Sequence, residues 1–259
     1  MNRMKQNNTP PKRKLEWRRA WKALQALIDD SQRTDQVFEI IDALAGDSFE
    51  REFHRVRTHP DGRRLLTERP SLLATLSDRA TLRTLPEGSF GRAYLEFMES
   101  NNLAAEGLVQ ADLMVEQRKA NPQPEDPDRQ FLGERMRDMH DLWHVLTGYG
   151  MDEAGEAANL AFTLAQIPTP GIALIVLAAA VLGPRDRTLA WPRYLFRSWR
   201  RGRRAVRLSL APYERLLPLP LDEVRRLLLI QPPAAAHPEG IAVGTRLDSL
   251  ANQTAALGQ

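Results

Sequence analysis

Two histidines and an aspartate within five residues are the side chains of this chain best suited to chemistry. The segment is His140-Asp141-Leu142-Trp143-His144. On a helix, His140 and His144 lie four residues apart on one face, and Asp141 lies within reach of His144. Two imidazoles on one helical face are a common arrangement for binding a single metal ion. We therefore predict a metal site on this helix.

A short turn after this segment brings in a further carboxylate. Gly148 and Gly150 can take the positive φ values that end a helix, and Asp152 is a suitable N-cap for the next helix. Because the turn is short, the two helices are expected to be antiparallel neighbours. His144 lies six residues before Gly150 and Glu156 lies six residues after it, so the two side chains should face each other. Such a set suits zinc with an open position or the two-histidine, one-carboxylate site of non-haem iron. The alternative is a buried, hydrogen-bonded hairpin in which Glu156 only favours the positive end of its helix.

Composition limits the kinds of protein that can hold this site. The chain has 259 residues, of which 42% are hydrophobic and 27% charged, and its formal net charge is +3. These values are close to ordinary globular usage and argue against wholesale disorder or a coiled-coil rod. Because the chain has no cysteine, disulfides, thiolate metal sites and cysteine nucleophiles are excluded.

Other catalytic motifs are missing from the sequence. Asp141 stands where the metallopeptidase motif His-Glu-x-x-His has glutamate, and its side chain is too short for that base, so peptidase activity is not expected. The sequence contains neither the Gly-x-Ser-x-Gly motif of serine hydrolases nor a Gly-Lys-Ser/Thr phosphate loop.

The spacing of apolar residues predicts an all-α fold. Apolar residues recur three and four positions apart, and no sustained run of alternating β-branched residues occurs. We predict a single helical domain over residues 15–230 with the metal site in a helix-turn-helix hairpin. A basic disordered arm is expected over residues 1–14, and a disordered tail rich in Ala, Pro and Gly over residues 231–259, where His237 is assigned no role. A turn is predicted at Pro60-Asp61-Gly62, and helices near the site at residues 131–147, 153–166, 172–182 and 191–208.

An arginine-rich stretch follows the predicted hairpin. Residues 185–207 hold nine arginines, no lysine, one acidic residue and four aromatic residues. Nucleic acid, an anionic membrane surface and plain solvent are all suitable surroundings for such a face. We favour docking on an anionic membrane and expect no nucleic-acid partner. The residues assigned to this membrane docking are Arg193, Arg197, Arg200 and Arg201.

In these motifs the sequence resembles the family of the fourth coenzyme Q (ubiquinone) biosynthesis protein. The hallmark of that family is His-Asp-x-x-His, eleven residues and then Glu, which His140, Asp141, His144 and Glu156 match without departure. The flanking Leu-Thr-Gly-Tyr-Gly at residues 146–150 is also similar to the family. The resemblance covers roughly residues 35–230.

The resemblance implies a metal-dependent reaction on a quinone precursor. Family members are associated with oxidative decarboxylation at ring carbon C1, in which a hydroxyl replaces the carboxylate. By carry-over, His140, Asp141, His144 and Glu156 are the metal ligands and the catalytic residues. Zinc is the implied metal, iron and manganese are alternatives, and O2 is the implied co-substrate. The alternative function is a non-catalytic, lipid-binding scaffold that organises the ubiquinone biosynthetic complex.

The resemblance also implies partners and a location. A polyprenylated quinone precursor, other ubiquinone-biosynthesis proteins and a second copy in a homodimer are the implied partners. The apolar stretch at residues 172–182 is too short to span a bilayer, and it either lines a groove for the polyprenyl tail or is ordinary core. The expected location is the bacterial cytoplasm, peripheral on the inner membrane, or alternatively the matrix side of the mitochondrial inner membrane. The residues assigned to tail binding are Ile172, Leu174, Ile175 and Leu177.

Overall fold

Helices form nearly all the regular structure of this protein. The computed structural model describes residues 14–30, 33–105, 107, 126–183, 190–243 and 246–247. The helices in these ranges are α1 (Trp17–Asp29), α2 (Thr34–Ala43), α3 (Ser48–Thr58), α4 (Pro60–Glu68), α5 (Leu72–Ser77), α6 (Arg79–Thr84), α7 (Phe90–Ser100), α8 (Pro127–Asp138), α9 (His140–Thr147), α10 (Glu153–Gln166), α11 (Pro170–Leu182), α12 (Ala190–Arg204), α13 (Tyr213–Leu216), α14 (Leu221–Leu227) and α15 (Pro233–Ala236). A 3-10 turn (Leu208–Leu210) and a two-residue antiparallel pair, β1 (Ala242–Val243) with β2 (Arg246–Leu247), accompany them. The predicted all-α class is confirmed.

Proline begins several of these helices. Pro60 is the first residue of α4, and the preceding His59 accepts a hydrogen bond at Nδ1 from the backbone N–H of Asp61. The turn predicted at Pro60-Asp61-Gly62 is therefore wrong. Proline fits the first helical position because its missing N–H has no partner there in any helix. Pro170 begins α11 in the same way, after Thr169 as the N-cap.

The helix predicted over residues 131–147 is two helices in the structure. The first, α8, begins at Pro127 and ends at Asp138, and the second, α9, begins at His140. Met139 between them keeps right-handed backbone angles (φ −80°, ψ −4°), so the chain is interrupted without reversing. The interruption leaves both histidines on a short helix that is almost entirely buried.

The main hydrophobic core surrounds α9. Leu142 and Leu146 of α9 and Phe162 of α10 are fully buried, and the Trp143 ring meets that of Phe162 edge-on with centroids 5.9 Å apart. Helix α12 approaches α10 at Gly202, where a Cβ atom would lie 2.5 Å from the carbonyl oxygen of Phe162. Only glycine allows this approach, which places the arginine-rich helix directly behind the hairpin.

A second hydrophobic cluster joins the N-terminal helices to α11. Ala20 and Leu24 of α1 pack with Ile40 of α2 and Ile175 of α11. A Cβ atom at Gly171 would lie 2.8 Å from the carbonyl oxygen of Ile40, so α11 begins in close contact with α2. Among the described residues, no helix combines the length and the apolar character needed to cross a bilayer.

The folded part of the chain extends past the boundary predicted at residue 230. Helix α15 lies in the predicted tail, and His237, directly after it, is fully buried. Residues 231–243 therefore pack on the core instead of forming a disordered tail. Residues 1–13 of the predicted arm and 248–259 of the predicted tail lie outside the described residues.

Candidate metal centre

The turn between α9 and α10 is shaped by one glycine and one aspartate. Gly148 ends α9 with a left-handed φ of +74°, and its N–H donates to the carbonyl of His144 at 2.7 Å. Asp152 caps α10 by accepting hydrogen bonds at Oδ1 from the N–H groups of Ala154 and Gly155. The structure confirms both predicted ends of the turn.

Gly150 plays a different part from the one predicted. It has no positive φ, so the expectation of a second left-handed glycine is wrong. A Cβ atom on Gly155 would lie 2.1 Å from the carbonyl oxygen of Gly150, so the turn lies directly on the first turn of α10. This contact closes the hairpin and brings Glu156 over the histidines.

Three predicted ligands converge between α9 and α10. His140, His144 and Glu156 each offer one ligand atom, and these atoms all lie within 4.8 Å of one another. Glu156 Oε1 lies 3.5 Å from His144 Nε2, and Glu156 Oε2 lies 3.9 Å from His140 Nε2. The prediction that His144 and Glu156 face each other across an antiparallel hairpin is confirmed.

The proton of His144 is held on the side away from Glu156. The ring nitrogen Nδ1 lies 3.1 Å from the carbonyl oxygen of Tyr149, and a carbonyl only accepts, so Nδ1 carries the hydrogen. In the neutral ring Nε2 then holds a lone pair, which faces the Glu156 carboxylate. His144 is fully buried, and among the described residues Nε2 has no hydrogen-bond partner.

Asp141 lies on the other nitrogen of His140 instead of at the point of convergence. Its Oδ1 is 3.2 Å from His140 Nδ1, and its side chain is buried. An ionised carboxylate accepts the Nδ1 hydrogen, which leaves Nε2 of His140 as a second lone pair facing Glu156. This is the usual arrangement by which a carboxylate orients a metal-binding histidine.

The charges of the site favour an ionised carboxylate at Glu156 and positive charge at His140. Burial raises the pKa of Glu156, but the two histidines lower it more, so the net direction is downward. Burial lowers the pKa of His140, but the carboxylates of Asp141 and Glu156 outweigh it and raise the pKa overall. Two ring nitrogens and a carboxylate facing one another favour positive charge between them, which a proton or a metal ion can supply.

This donor set fits a divalent metal. Two imidazole nitrogens and one carboxylate oxygen are the ligands of catalytic zinc and of non-haem iron, and both arrangements leave positions open. The buried Nε2 of His144 supports the fit, because it faces Glu156 Oε1 at 3.5 Å without a hydrogen bond of normal geometry, and a buried polar atom normally makes one.

Several contacts around the site were not predicted. The ring of Phe97 on α7 stacks on His144 with centroids 5.7 Å apart. The hydroxyl of Tyr149 donates to Ser198 Oγ at 2.9 Å and lies 2.8 Å from His237 Nε2. Ser198 Oγ donates in turn to the carbonyl of Tyr194, so His237 is the donor to Tyr149. No local pattern could have revealed His237, which is 88 residues from Tyr149.

The residues predicted to bind a polyprenyl tail do not form one surface. Ile172 and Ile175 are buried, and Leu177 is 62% exposed. Leu174 and Ile175 pack in the second cluster with α1 and α2. The four residues therefore do not form a single groove beside the metal ligands.

The four arginines predicted to dock on a membrane differ in exposure. Arg193 and Arg200 are exposed and Arg197 is half-buried, whereas Arg201 is 1% exposed. Arg201 Nη1 donates to the carbonyl of Thr147 at 2.6 Å, and its guanidinium lies over the Tyr149 ring at 5.3 Å. The assignment of Arg201 to a membrane surface is wrong, because its cation stabilises the negative C-terminal end of α9 from inside the protein.

Comparison with known proteins gives consistent matches. A family model described as coenzyme Q (ubiquinone) biosynthesis protein Coq4 matches residues 17–234. The mitochondrial ubiquinone biosynthesis protein COQ4 homolog of Danio rerio is 32% identical over 184 residues, which cover 69% of this chain and 63% of that protein. The mitochondrial COQ4 protein of Yarrowia lipolytica is 29% identical over 210 residues, which cover 79% of this chain and 75% of that protein. The match thus spans just under two thirds of the Danio rerio relative.

A solved structure is similar in fold. It is described as a putative ubiquinone biosynthesis protein from Nostoc punctiforme, and it superposes with a TM-score of 0.56 at 23% sequence identity. The match covers 83% of this chain and 98% of that one. At this identity the similarity concerns the fold alone.

Proposed function

The chain belongs to the coenzyme Q (ubiquinone) biosynthesis protein Coq4 family, and from that premise we propose that it is a metal-dependent enzyme acting on a polyprenylated hydroxybenzoate-type ring. In the proposed reaction the bond between ring carbon C1 and the carboxylate breaks and CO2 leaves. One oxygen atom of O2 forms the new hydroxyl at C1, and the other is reduced to water by two protons and two electrons from an external two-electron donor. The observation that carries this proposal is the convergence of His140, His144 and Glu156 on one point.

The protein's own residues hold and orient the metal in this proposal. His140 and His144 present Nε2, because Asp141 and the Tyr149 carbonyl keep the hydrogen on each Nδ1. Glu156 supplies the third ligand as an anion. A divalent metal bound here supplies a Lewis acid that polarises the carboxylate or phenolate of the ring. Zinc is our first choice, with iron or manganese as alternatives.

Exposure defines the side from which the ring approaches. The His144 side chain is fully buried, whereas those of His140 and Glu156 are 27% and 33% exposed. The open side of the site therefore lies over His140 and Glu156. Phe97, stacked on His144, covers one face of that ring.

Exchange of Glu156 for glutamine tests the proposal, because Glu156→Gln keeps the volume and removes the anionic ligand. A null strain of the host is complemented with wild type, with Glu156→Gln, or with Glu153→Gln, which removes an exposed charge from the same helix. Mass spectrometry of the quinone-pathway lipids then gives the result. In the strain that contains Glu156→Gln at normal protein abundance, we expect a precursor whose ring still bears its carboxylate to accumulate. The amount of quinone should be at least about tenfold lower than with wild type. We expect Glu153→Gln to restore normal quinone.

The alternative function makes the opposite prediction. If the chain is a non-catalytic scaffold that organises the biosynthetic complex, Glu156→Gln restores quinone as well as wild type does. That result would overturn the enzymatic proposal. Homodimerisation and contact with other ubiquinone-biosynthesis proteins remain predictions from the family resemblance.

We further propose that the outer face of α12 docks on an anionic membrane. Arg193, Phe196, Arg200 and Arg203 recur at helical spacing on this face, and Phe196 is 55% exposed. The guanidinium of Arg203 lies over the Trp199 ring at 5.9 Å, and Phe196 stacks on the same ring at 5.6 Å. Arginines interleaved with exposed aromatic rings suit the headgroup region of an anionic bilayer. The names of the curated relatives support the mitochondrial alternative for its location.

Vesicle binding tests this face. We expect the double variant Arg193→Gln/Arg203→Gln to bind phosphatidylglycerol vesicles roughly 30-fold more weakly than wild type, since each arginine near such a surface contributes about 1 kcal/mol. The matched control is Arg57→Gln/Arg63→Gln, which removes two exposed charges from α3 and α4. Wild-type binding should weaken steeply between low and physiological salt. Salt-insensitive binding, or an equal loss in the control, would contradict docking by α12.

A further inference from the structure

A cleft with a volume of about 230 Å³ lies between α12 and the C-terminal segment. One wall consists of Arg197, Arg200, Arg201 and Arg204, which share a face of α12 at helical spacing. The opposite wall comes from Gln231, Ala235 and Pro238, none of which is ionisable. None of the predicted metal ligands lines this cleft, so it is separate from the metal centre.

The guanidinium of Arg201 lies deep in this cleft without a counter-charge. Arg201 is 1% exposed, and its Nη1 donates to the Thr147 carbonyl. Among the described residues, Nε and Nη2 have no hydrogen-bond partner and no carboxylate lies within ion-pair distance of Arg201. Burial lowers the pKa of this guanidinium; Tyr149 opposes that effect, and the nearby Arg225 adds to it. A buried charge with unused donors is costly unless an anion compensates it.

In the described part of the chain, no acidic residue near the neighbouring arginines supplies that anion. Arg197 pairs with Glu239, whose side chain is 65% exposed at the edge of the cleft. Within the described parts of the chain, neither Arg200 nor Arg204 lies within ion-pair distance of a carboxylate. Both side chains are exposed and remain available to a ligand. An arginine guanidinium can donate two parallel hydrogen bonds to the oxygens of one phosphate group. Several arginines around one cleft therefore suit a multiply charged anion.

We propose that this cleft binds a phosphate-bearing ligand, either a phosphate monoester or a diphosphate. Three guanidinium groups without a carboxylate partner among the described residues, those of Arg200, Arg201 and Arg204, exceed what a single carboxylate requires, and the volume accommodates more than one phosphoryl group. Arg201 supplies buried donors at the base, and Arg200 and Arg204 close over the ligand from the rim. This proposal goes beyond the function proposed above and does not rest on it, because no residue of the metal centre takes part; Arg200 alone is shared with the docking face of α12.

Calorimetric titration of the full chain with inorganic pyrophosphate tests the site, at an ionic strength held constant with sodium acetate. We expect one saturable site per chain. Removal of charge-assisted hydrogen bonds in Arg200→Gln/Arg204→Gln should weaken binding at least about tenfold. The control Arg57→Gln/Arg63→Gln removes the same charge from exposed positions on α3 and α4, which do not line the cleft, and should change the affinity less than about threefold.

A second titration distinguishes the source of the phosphate. Dihexanoyl phosphatidic acid, used below its critical micelle concentration, presents a lipid headgroup without a membrane surface. Saturable binding of this lipid alone identifies a lipid phosphate, and binding of pyrophosphate alone identifies a soluble diphosphate. Either result supports the proposal if it shows the same dependence on Arg200 and Arg204. Absence of saturable binding for both probes, or an equal loss in the control, overturns it.

The buried donors are tested separately with Arg201→Lys, which keeps the cation and removes the fork. We expect this variant to show a native circular-dichroism spectrum and a loss of affinity at least as large as that of Arg200→Gln/Arg204→Gln. Unchanged affinity in folded Arg201→Lys would remove Arg201 from the site. If Arg201→Lys does not fold, the affinity of Arg200→Gln/Arg204→Gln decides whether the cleft binds phosphate.

Discussion

At the scale of single residues, the site depends on which nitrogen of each histidine carries the proton. The Tyr149 carbonyl holds the hydrogen of His144 on Nδ1, and the Asp141 carboxylate does the same for His140. Both Nε2 atoms are thereby left to face Glu156. The two orienting groups differ in kind, because the backbone carbonyl survives most substitutions whereas the carboxylate can be removed by one.

Removal of the charge on Asp141 tests its part as an orienting group. We expect Asp141→Asn to bind zinc about 10- to 100-fold more weakly than wild type, because a neutral amide holds the Nδ1 hydrogen less firmly. Competition with a chromophoric chelator measures the affinity, and Glu153→Gln serves as the control for a lost charge near the hairpin. A loss as complete as that of His140→Ala would instead identify Asp141 as a direct ligand, as the family resemblance implies.

At the scale of elements, the hairpin of α9 and α10 is what brings the ligands together. Gly148 turns the chain with a left-handed φ of +74°, and a Cβ atom there would lie 2.6 Å from Pro233 Cγ. Pro233 begins α15, so the same glycine also allows the C-terminal segment to lie against the turn. The hairpin and this segment therefore depend on one position.

We expect Gly148→Ala to destabilise the protein by at least about 1–2 kcal/mol, since alanine disfavours the left-handed conformation and its methyl group would meet Pro233. The matched control is Gly133→Ala in α8, where a Cβ atom would lie 3.9 Å from Phe49 in ordinary contact. In a helix that exchange should be neutral or stabilise by roughly 0.5–1 kcal/mol. Urea unfolding measures both, and equal stabilities of the two variants would show that the turn tolerates a side chain.

At the scale of the whole molecule, the C-terminal segment ties the arginine-rich helix to the hairpin. His237 is fully buried, hydrogen-bonded to Tyr149 and tilted against the Tyr194 ring at 4.3 Å. Tyr149 in turn contacts His144 through its carbonyl. A residue near the end of the described chain is therefore two contacts away from a predicted metal ligand.

The buried His237 predicts a dependence of stability on pH. Burial, together with Arg201 and Arg197 on α12, lowers its pKa to about 4, although Glu239 on its own segment opposes them. An unfolded histidine titrates near 6.5, so between about 6.5 and 4 the unfolded chain binds more protons than the folded one. The free energy of unfolding should therefore fall with decreasing pH in this window, by at most about 1.4 kcal/mol per pH unit from this residue.

Comparison of His237→Gln with wild type isolates this contribution. We expect the variant to lose the extra pH dependence between about 6.5 and 4, although it is less stable at neutral pH. His54→Gln, at an exposed histidine of α3, should keep the wild-type slope. Identical slopes in wild type and His237→Gln would show that His237 is not held neutral by the fold.

The sequence by itself determined the fold class and the core of the candidate site. The ligands lie within 17 residues of one another, so the helical period and a short turn suffice to bring His140, His144 and Glu156 together. These constraints are local in sequence, so they can be predicted without knowing how distant parts of the chain pack.

Only the tertiary structure decided the surroundings of that site. The burial of Arg201, the contact of His237 with Tyr149 and the packing of Ile175 against α1 join residues far apart in the chain. Side-chain periodicity cannot distinguish an arginine that faces solvent from one that caps a buried helix, because both occupy a helix face. That choice depends on which element packs opposite, and here the hairpin and the C-terminal segment pack against α12.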